Sequence, residues 1–128
     1  MRQYLDTTTI RRNQDFCNVF DKVLREFPDI PIEDAINIAI HSPAREFYVS
    51  ENYAIRYCYA MKARKPSRLK KGTAKYLCFT TIYYTARNKA NREEITLREA
   101  IIKTIYSTAP RFYLNRSTAY TILKNTRR

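Results

Sequence analysis

The chain has 128 residues, a formal charge of +12 and 45% hydrophobic residues. This composition excludes a disordered or low-complexity chain, and the length allows one compact domain rather than a multidomain assembly. With Gly72 as the only glycine, an all-β sandwich is disfavoured, because its tight turns need residues that adopt positive φ. The sequence has no apolar run of roughly 18 residues and no apolar signal segment, so we expect a cytoplasmic protein that is neither secreted nor membrane-bound.

An internal repeat organises the sequence. With an offset of 65 residues, the stretch 33–58 matches the stretch 98–123 at eight of 26 positions, against about two expected by chance. We infer two copies of one unit and predict an all-α fold of two tandem, internally repeated three-helix units that share one core. The predicted organisation is an N-terminal arm (1–13), a first helical unit (14–63), a basic linker (64–76) and a second helical unit (77–128).

The first unit shows three helical segments in chain order. Apolar residues recur at helical spacing from Phe16 to Phe27, and Pro28 ends this segment. A second helix is predicted from about residue 32 to residue 41, because its alanines and isoleucines fall on one face. A third helix is predicted to begin after Ser50, since serine is a good N-cap residue.

An aromatic phrase separates the second and third helices of each unit. It contains Phe47 and Tyr48 in the first unit and Phe112 and Tyr113 in the second. We interpret these aromatic pairs as wedges that fill the gap between helices. The alternative is that one of the two tyrosines is exposed and stacks on nucleic-acid bases.

Positive charge is concentrated in the second half of the chain. Residues 1–60 contain seven basic and nine acidic side chains, whereas residues 61–128 contain seventeen basic and three acidic ones. Because Pro66 and Gly72 interrupt any helix, the densest cluster predicts an exposed basic loop that binds phosphates, with a solubilising linker as the alternative. Its cations are Lys62, Arg64, Lys65, Arg68, Lys70, Lys71 and Lys75.

The second unit repeats the pattern with a more basic sequence. The segment from Tyr76 to Tyr84 is rich in strand-forming residues, but its alignment with the first unit predicts a buried helix. Thr96 and Glu99 are spaced as a capping box at the start of the next helix. Residues around the third helix are of types that contact bases and phosphates. The candidates are Arg111, Asn115, Arg116, Lys124, Arg127 and Arg128.

The order of a helix, a connection and a capped helix within a three-helix unit resembles that of helix-turn-helix proteins. In those proteins the recognition helix enters the major groove with its N-terminal residues. The resemblance is topological, and the connection 42–49 is longer than the usual turn of about three or four residues. We expect the second unit to bind and the first to act as scaffold or partner surface. Reversing the charges of Arg111 and Arg116 should then weaken DNA binding more than reversing those of Arg45 and Arg56.

Catalytic and metal-binding chemistry have little support in this sequence. Cys17, Cys58 and Cys78 are widely spaced and are interpreted as free, buried thiols. His41 is the only histidine, and we expect it to flank the second helix rather than to act as a base or ligand. We therefore predict no enzymatic activity, no metal and no cofactor.

Two function classes remain. The first is a small nucleic-acid-binding protein that contacts phosphates through the basic linker and the second unit, with DNA as the expected ligand in preference to RNA. The second is a structural or assembly protein, such as a small component of a virus particle or nucleoprotein complex, that uses the repeats as protein–protein surfaces. In both classes the first unit offers a surface for a protein partner or a second copy of the chain.

Overall fold

The computed structural model describes residues 6–66 and 68–126, and these residues form an all-α fold. The predicted all-α class is therefore confirmed, and the strand-like segment from Tyr76 to Tyr84 is helical. The internal repeat and the sharing of one core by two repeated units stay predictions. The helices are α1 (Thr7–Glu26), α2 (Ile32–Ile40), α3 (Glu51–Lys62), α4 (Ala74–Glu93), α5 (Leu97–Ile105) and α6 (Arg116–Thr126).

Helix α1 begins inside the segment predicted as an N-terminal arm. The carboxylate of Asp6 accepts a hydrogen bond from the amide of Thr9 at 2.7 Å and so caps the first turn. Because this cap precedes the apolar periodicity, which starts only at Phe16, the periodicity alone placed the boundary too late. The arm residues 1–5 lie outside the described residues.

Predicted caps are present at three other helix starts. The hydroxyl of Ser50 accepts from the amide three residues later at 3.1 Å, and the side-chain oxygen of Asn115 does so at 2.7 Å. Thr96 caps α5 in the same way at 3.1 Å. His41 is the C-cap of α2, and its Nδ1 lies 2.8 Å from the carbonyl oxygen of Asn37, as expected for a flanking residue.

The third helix of each predicted unit packs against the other unit. Helix α1 contacts α2 and helix α4 contacts α5, whereas α3 contacts α4 and α5, and α6 contacts α1 and α2. Within the described part of the chain, no Cα atom of α3 lies within 8 Å of one in α1 or α2, and none of α6 lies within 8 Å of one in α4 or α5. This arrangement differs from a helix-turn-helix unit, in which the three helices of one unit pack together.

Backbone hydrogen bonds explain why the third helix of each predicted unit packs against the other unit. We call this arrangement the exchange of helices. The connections 42–49 and 107–114 cross each other, and each bonds to the end of the other half's short helix. An isolated antiparallel β-bridge forms at the crossing. The four amide-to-carbonyl bonds are Ala44 to Ala109 (3.0 Å), Ala109 to Ala44 (2.9 Å), Phe47 to Ile105 (3.0 Å) and Phe112 to Ile40 (2.9 Å).

The aromatic residues that follow the crossing are part of the core. Phe47 and Phe112 are both buried, in agreement with the predicted wedges. The ring of Phe112 packs edge-on against Phe16 at 5.4 Å between centroids and stacks with Tyr48 at 6.0 Å. Around them the buried apolar side chains of all six helices form one cluster. The crossing therefore positions α3, and with it the start of the basic loop.

Candidate nucleic-acid interface

The basic loop (residues 62–75) includes the last residue of α3 and the first two residues of α4, so Lys62 and Lys75 are helical. The part between the helices starts from a defined backbone turn at the end of α3. The amide of Arg64 donates to the carbonyl of Met61, and the amide of Lys65 donates to that of Ala60, both at 3.0 Å. Arg64 has a φ of 56°, in the left-handed region. This pattern is a Schellman motif, whose left-handed position usually holds glycine. The loop consequently leaves α3 in a fixed direction although no glycine is present.

A second turn closes the basic loop before α4. The amide of Thr73 donates to the carbonyl of Lys70 at 3.3 Å, and the Thr73 hydroxyl donates to the same oxygen at 2.7 Å. Gly72 has a φ of 89°, which a side chain would strain even though no atom lies near its missing Cβ. Thr73 is also the N-cap of α4. The only glycine of the chain therefore serves the end of the basic loop.

All seven cations of the basic loop are exposed. None of them forms an ion pair with any carboxylate of residues 6–66 and 68–126. The carboxylates that do form ion pairs neutralise cations elsewhere in the molecule. These pairs are Arg11–Glu46 (2.7 Å), Arg45–Asp15 (3.9 Å), Lys89–Glu93 (3.2 Å) and Lys103–Glu93 (3.5 Å).

A groove of about 570 Å³ lies between the basic loop and the C-terminal half of α3, and we call it the loop groove. Its walls combine cationic and aromatic side chains. The loop supplies Lys65, Pro66 and Arg68, and α3 supplies the rest. The α3 residues are Arg56, Tyr57, Tyr59, Ala60 and Met61. Cations bind phosphates and aromatic rings bind bases, so this lining suits a nucleotide chain.

The exposed side of α3 alternates tyrosines with cations. Tyr53 is 55% exposed and Tyr59 is 40% exposed. The guanidinium of Arg56 lies 5.6 Å from the centroid of the Tyr53 ring, and the ammonium of Lys62 lies 5.8 Å from that of Tyr59. These four residues recur every third position and are all exposed, so each neighbours the next along a strip that winds partly around the helix. We call this set the α3 face.

The predicted residues of the second unit have mixed surroundings. Arg116, the first residue of α6, and Lys124 in its last turn are exposed. Arg111 is half-buried, donates from Nε to the carbonyl of Phe112 at 3.2 Å and covers the ring of Tyr113 at 5.6 Å. Arg111 therefore has structural partners, as does the N-cap Asn115. Arg127 and Arg128 lie outside the described residues.

A second groove, of about 470 Å³, brings Lys75 and Asn115 together with Arg12. The N-terminal ends of α1, α3, α4 and α6 all contribute to its lining. Burial lowers the pKa of Arg12 below its usual value. The first amides of a helix have no partner within the helix and could serve as donors in the groove. Here the N-cap side chains already accept hydrogen bonds from some of these amides, so fewer donors remain free.

Sequence reasoning missed Tyr53, Arg56 and Tyr59. Counting charges along the chain assigned Arg56 to the acidic half, although the fold places it beside the loop cations. A signal was present, because Tyr, Arg, Tyr and Lys recur every third residue from Tyr53 to Lys62. Residues three positions apart are neighbours on a helix surface, so this spacing predicts a strip of adjacent side chains once the helix boundaries are known.

The cysteines differ in their accessibility. Burial raises the pKa of the Cys58 and Cys78 thiols to about 12, so both stay protonated and unreactive near neutral pH. Cys17 is only half-buried, and its Sγ lies 2.9 Å from the hydroxyl of Thr126. All three are free thiols.

Residues 6–66 and 68–126 contain neither a candidate metal site nor a membrane-spanning helix. Within these ranges, no group of three or more His, Cys, Asp or Glu side chains is arranged to hold a metal ion. No helix in them combines the length and hydropathy needed to cross a bilayer. Comparison of the chain with family models, curated proteins and solved structures found no match.

Proposed function

We propose that this protein binds nucleic acid, with the basic loop and the loop groove as the main contact surface and DNA as the first ligand to test. The observation that carries the proposal is the set of seven exposed loop cations that have no ion-pair partner among residues 6–66 and 68–126. Like charges in a short segment repel one another, and a polyphosphate relieves this repulsion while it releases counterions. The two turns at the ends of the loop fix where these charges lie.

The lining of the loop groove supports the same proposal. Arg56, Lys65 and Arg68 provide positive charge on both of its sides, and Tyr57 and Tyr59 provide aromatic surface. A solubilising linker needs the charge but not the aromatic groove. Arg116 and Lys124 are exposed on α6 and are available only for a secondary contact outside the loop groove.

The test is binding of a labelled DNA duplex, followed by fluorescence anisotropy over a range of salt concentrations. With about six phosphate contacts, the slope of log K against log salt should be about −5. The double variant Lys65→Gln/Arg68→Gln should make this slope less negative by about 2. The matched control Lys22→Gln/Arg25→Gln removes the same charge from α1, and should leave the slope nearly unchanged. Equal changes in both variants would mean that net charge, rather than this groove, attracts DNA.

A second function, assembly with other protein chains, is favoured by the surface where α1 meets α2. Phe27 and Ile32 are each about half exposed there, and Glu33 and Asp34 form no ion pair within the described residues. A second copy of this chain would complement these carboxylates with its basic loop. Sedimentation without nucleic acid distinguishes the functions: self-association at low salt together with no micromolar DNA binding would favour assembly.

A further inference from the structure

We propose that the α3 face and the loop groove select single-stranded nucleic acid over duplex. This inference rests on the proposed function and names its substrate class. Tyr59 is exposed and lines the loop groove with Lys65 and Arg68, and Tyr53 is exposed and lines the second groove with Lys75. Exposed rings next to a phosphate-binding segment allow bases to stack on them, and this requires bases whose own faces are free. In a duplex, those faces are covered by neighbouring base pairs.

The spacing along α3 fits an alternation of bases and phosphates. Tyr53 and Tyr59 are six residues apart, which corresponds to about 9 Å along the helix axis and about 120° around it, so a strand that contacts both rings follows the surface of α3 obliquely. Arg56 lies between them in the sequence, and Lys62 follows one turn after Tyr59. In the free protein each cation rests over a ring. When a base takes that place, the cation can contact the adjacent phosphate instead.

The first turn of α3 is poorly suited to a major groove. Recognition helices enter the groove with their N-terminal residues, close to the phosphate backbone. Here that turn carries Glu51, whose carboxylate accepts a hydrogen bond from the hydroxyl of Tyr106 at 2.8 Å. This bond holds a negative charge where a duplex backbone would approach. A flexible single strand can reach the α3 face and the loop groove while it avoids Glu51.

The experiment measures the affinity of the full chain for a short single-stranded DNA, a single-stranded RNA and a duplex DNA of equal length at one salt concentration. The variant Tyr53→Leu/Tyr59→Leu keeps apolar side chains but removes both rings. We expect each lost ring to weaken single-strand binding about 5-fold to 100-fold, while duplex binding changes less than about twofold. The variant Tyr53→Phe/Tyr59→Phe keeps the rings and should retain binding.

The matched control is Tyr84→Leu/Tyr120→Leu, which removes rings of similar exposure (49% and 39%) from α4 and α6. Tyr84 also has an arginine over its ring, since the guanidinium of Arg87 lies 4.8 Å from its centroid. This control should bind like the unmodified protein. Tighter duplex than single-strand binding, or equal losses on both ligands in the α3 variant, would overturn the inference but leave the proposed function. If the protein binds none of the three ligands at low salt, both the inference and the proposed function are overturned.

Discussion

Helices α3 and α6 each follow a nine-residue helix and a crossing connection, and each packs into the opposite half of the molecule. Their buried sides are alike, with a fully buried alanine near the start, Ala54 in α3 and Ala119 in α6. Their exposed sides differ, because α3 carries tyrosines and cations where α6 carries Thr118, Thr121 and Lys124. Similar packing therefore supports two different surfaces. The comparison shows that the core fixes where a helix lies, whereas its exposed side chains decide what it can bind.

The largest effects should come from the crossing that places both helices. Phe47→Ala and Phe112→Ala each remove a buried ring, so each should lower the free energy of unfolding by about 3–5 kcal/mol. Urea denaturation followed by circular dichroism measures both. The two losses should be similar if the connections play equal roles. A loss below about 1 kcal/mol in only one variant would show that the two connections are not equivalent.

The next effect separates the two exposed surfaces. Arg56→Glu places a negative charge in the loop groove and should weaken nucleic-acid binding about tenfold at 0.1 M salt. Arg116→Glu makes the same change at the start of α6 and should weaken binding less than about twofold. Anisotropy titrations at matched salt compare the two variants. The opposite order would place the main contact on α6, as the helix-turn-helix resemblance implies.

A smaller effect concerns the helices that support α3 and α6. Thr73→Ala removes the N-cap of α4, which packs on α3, and should cost about 1 kcal/mol at any pH from 3 to 7. Asp6→Ala removes the N-cap of α1, which packs on α6. The hydrogen bond from the Thr9 amide lowers the pKa of the Asp6 carboxyl, so its contribution is present above the unfolded pKa and is lost as pH falls through the folded value.

Thermal melts at pH 7 and at low pH test these caps. The Asp6→Ala variant should be less stable than the unmodified protein at pH 7, and the difference should shrink in acid. The Thr73→Ala difference should stay constant, because threonine does not titrate. A constant difference for Asp6→Ala as well would mean that the carboxylate charge does not contribute to the cap.

The smallest effect is expected from cutting the basic loop. Because α3 packs on α4 and α5 while α6 packs on α1 and α2, both halves remain joined by packing and by the bonds between Ala44 and Ala109. Limited trypsin digestion at the exposed loop cations should give two fragments that co-elute in size-exclusion chromatography. They should separate in denaturing urea. Separate elution under native conditions would contradict the exchange of helices.

Local features of this fold could be predicted from the sequence, whereas the exchange could not. The caps at Ser50 and Asn115 depend on residues three positions away, so their residue types were sufficient. The destination of α3 depends on backbone bonds between Ala44 and Ala109, which are 65 residues apart, and no local pattern specifies those bonds.

The candidate site was predictable in part for the same reason. The loop cations lie close together in the sequence, within residues 62–75, and can be recognised there as a cluster. Arg56 lies beside Lys65 and Arg68 only because the loop folds back along α3, so its role depends on tertiary structure. Arg111 shows the converse, since its residue type suggested a ligand contact but its partners are a backbone carbonyl and Tyr113.

The exchange of helices also affects how the protein is made. A ribosome delivers α3 before the helices that cover it exist, and the last of these, α5, ends at Ile105. At roughly 5–20 residues per second, the nascent α3 waits about 2–9 s for its packing surface. Helix α6, in contrast, emerges after both of its packing partners, α1 and α2, have been synthesised. The first half of the chain therefore completes its core only once the helices of the second half have been synthesised.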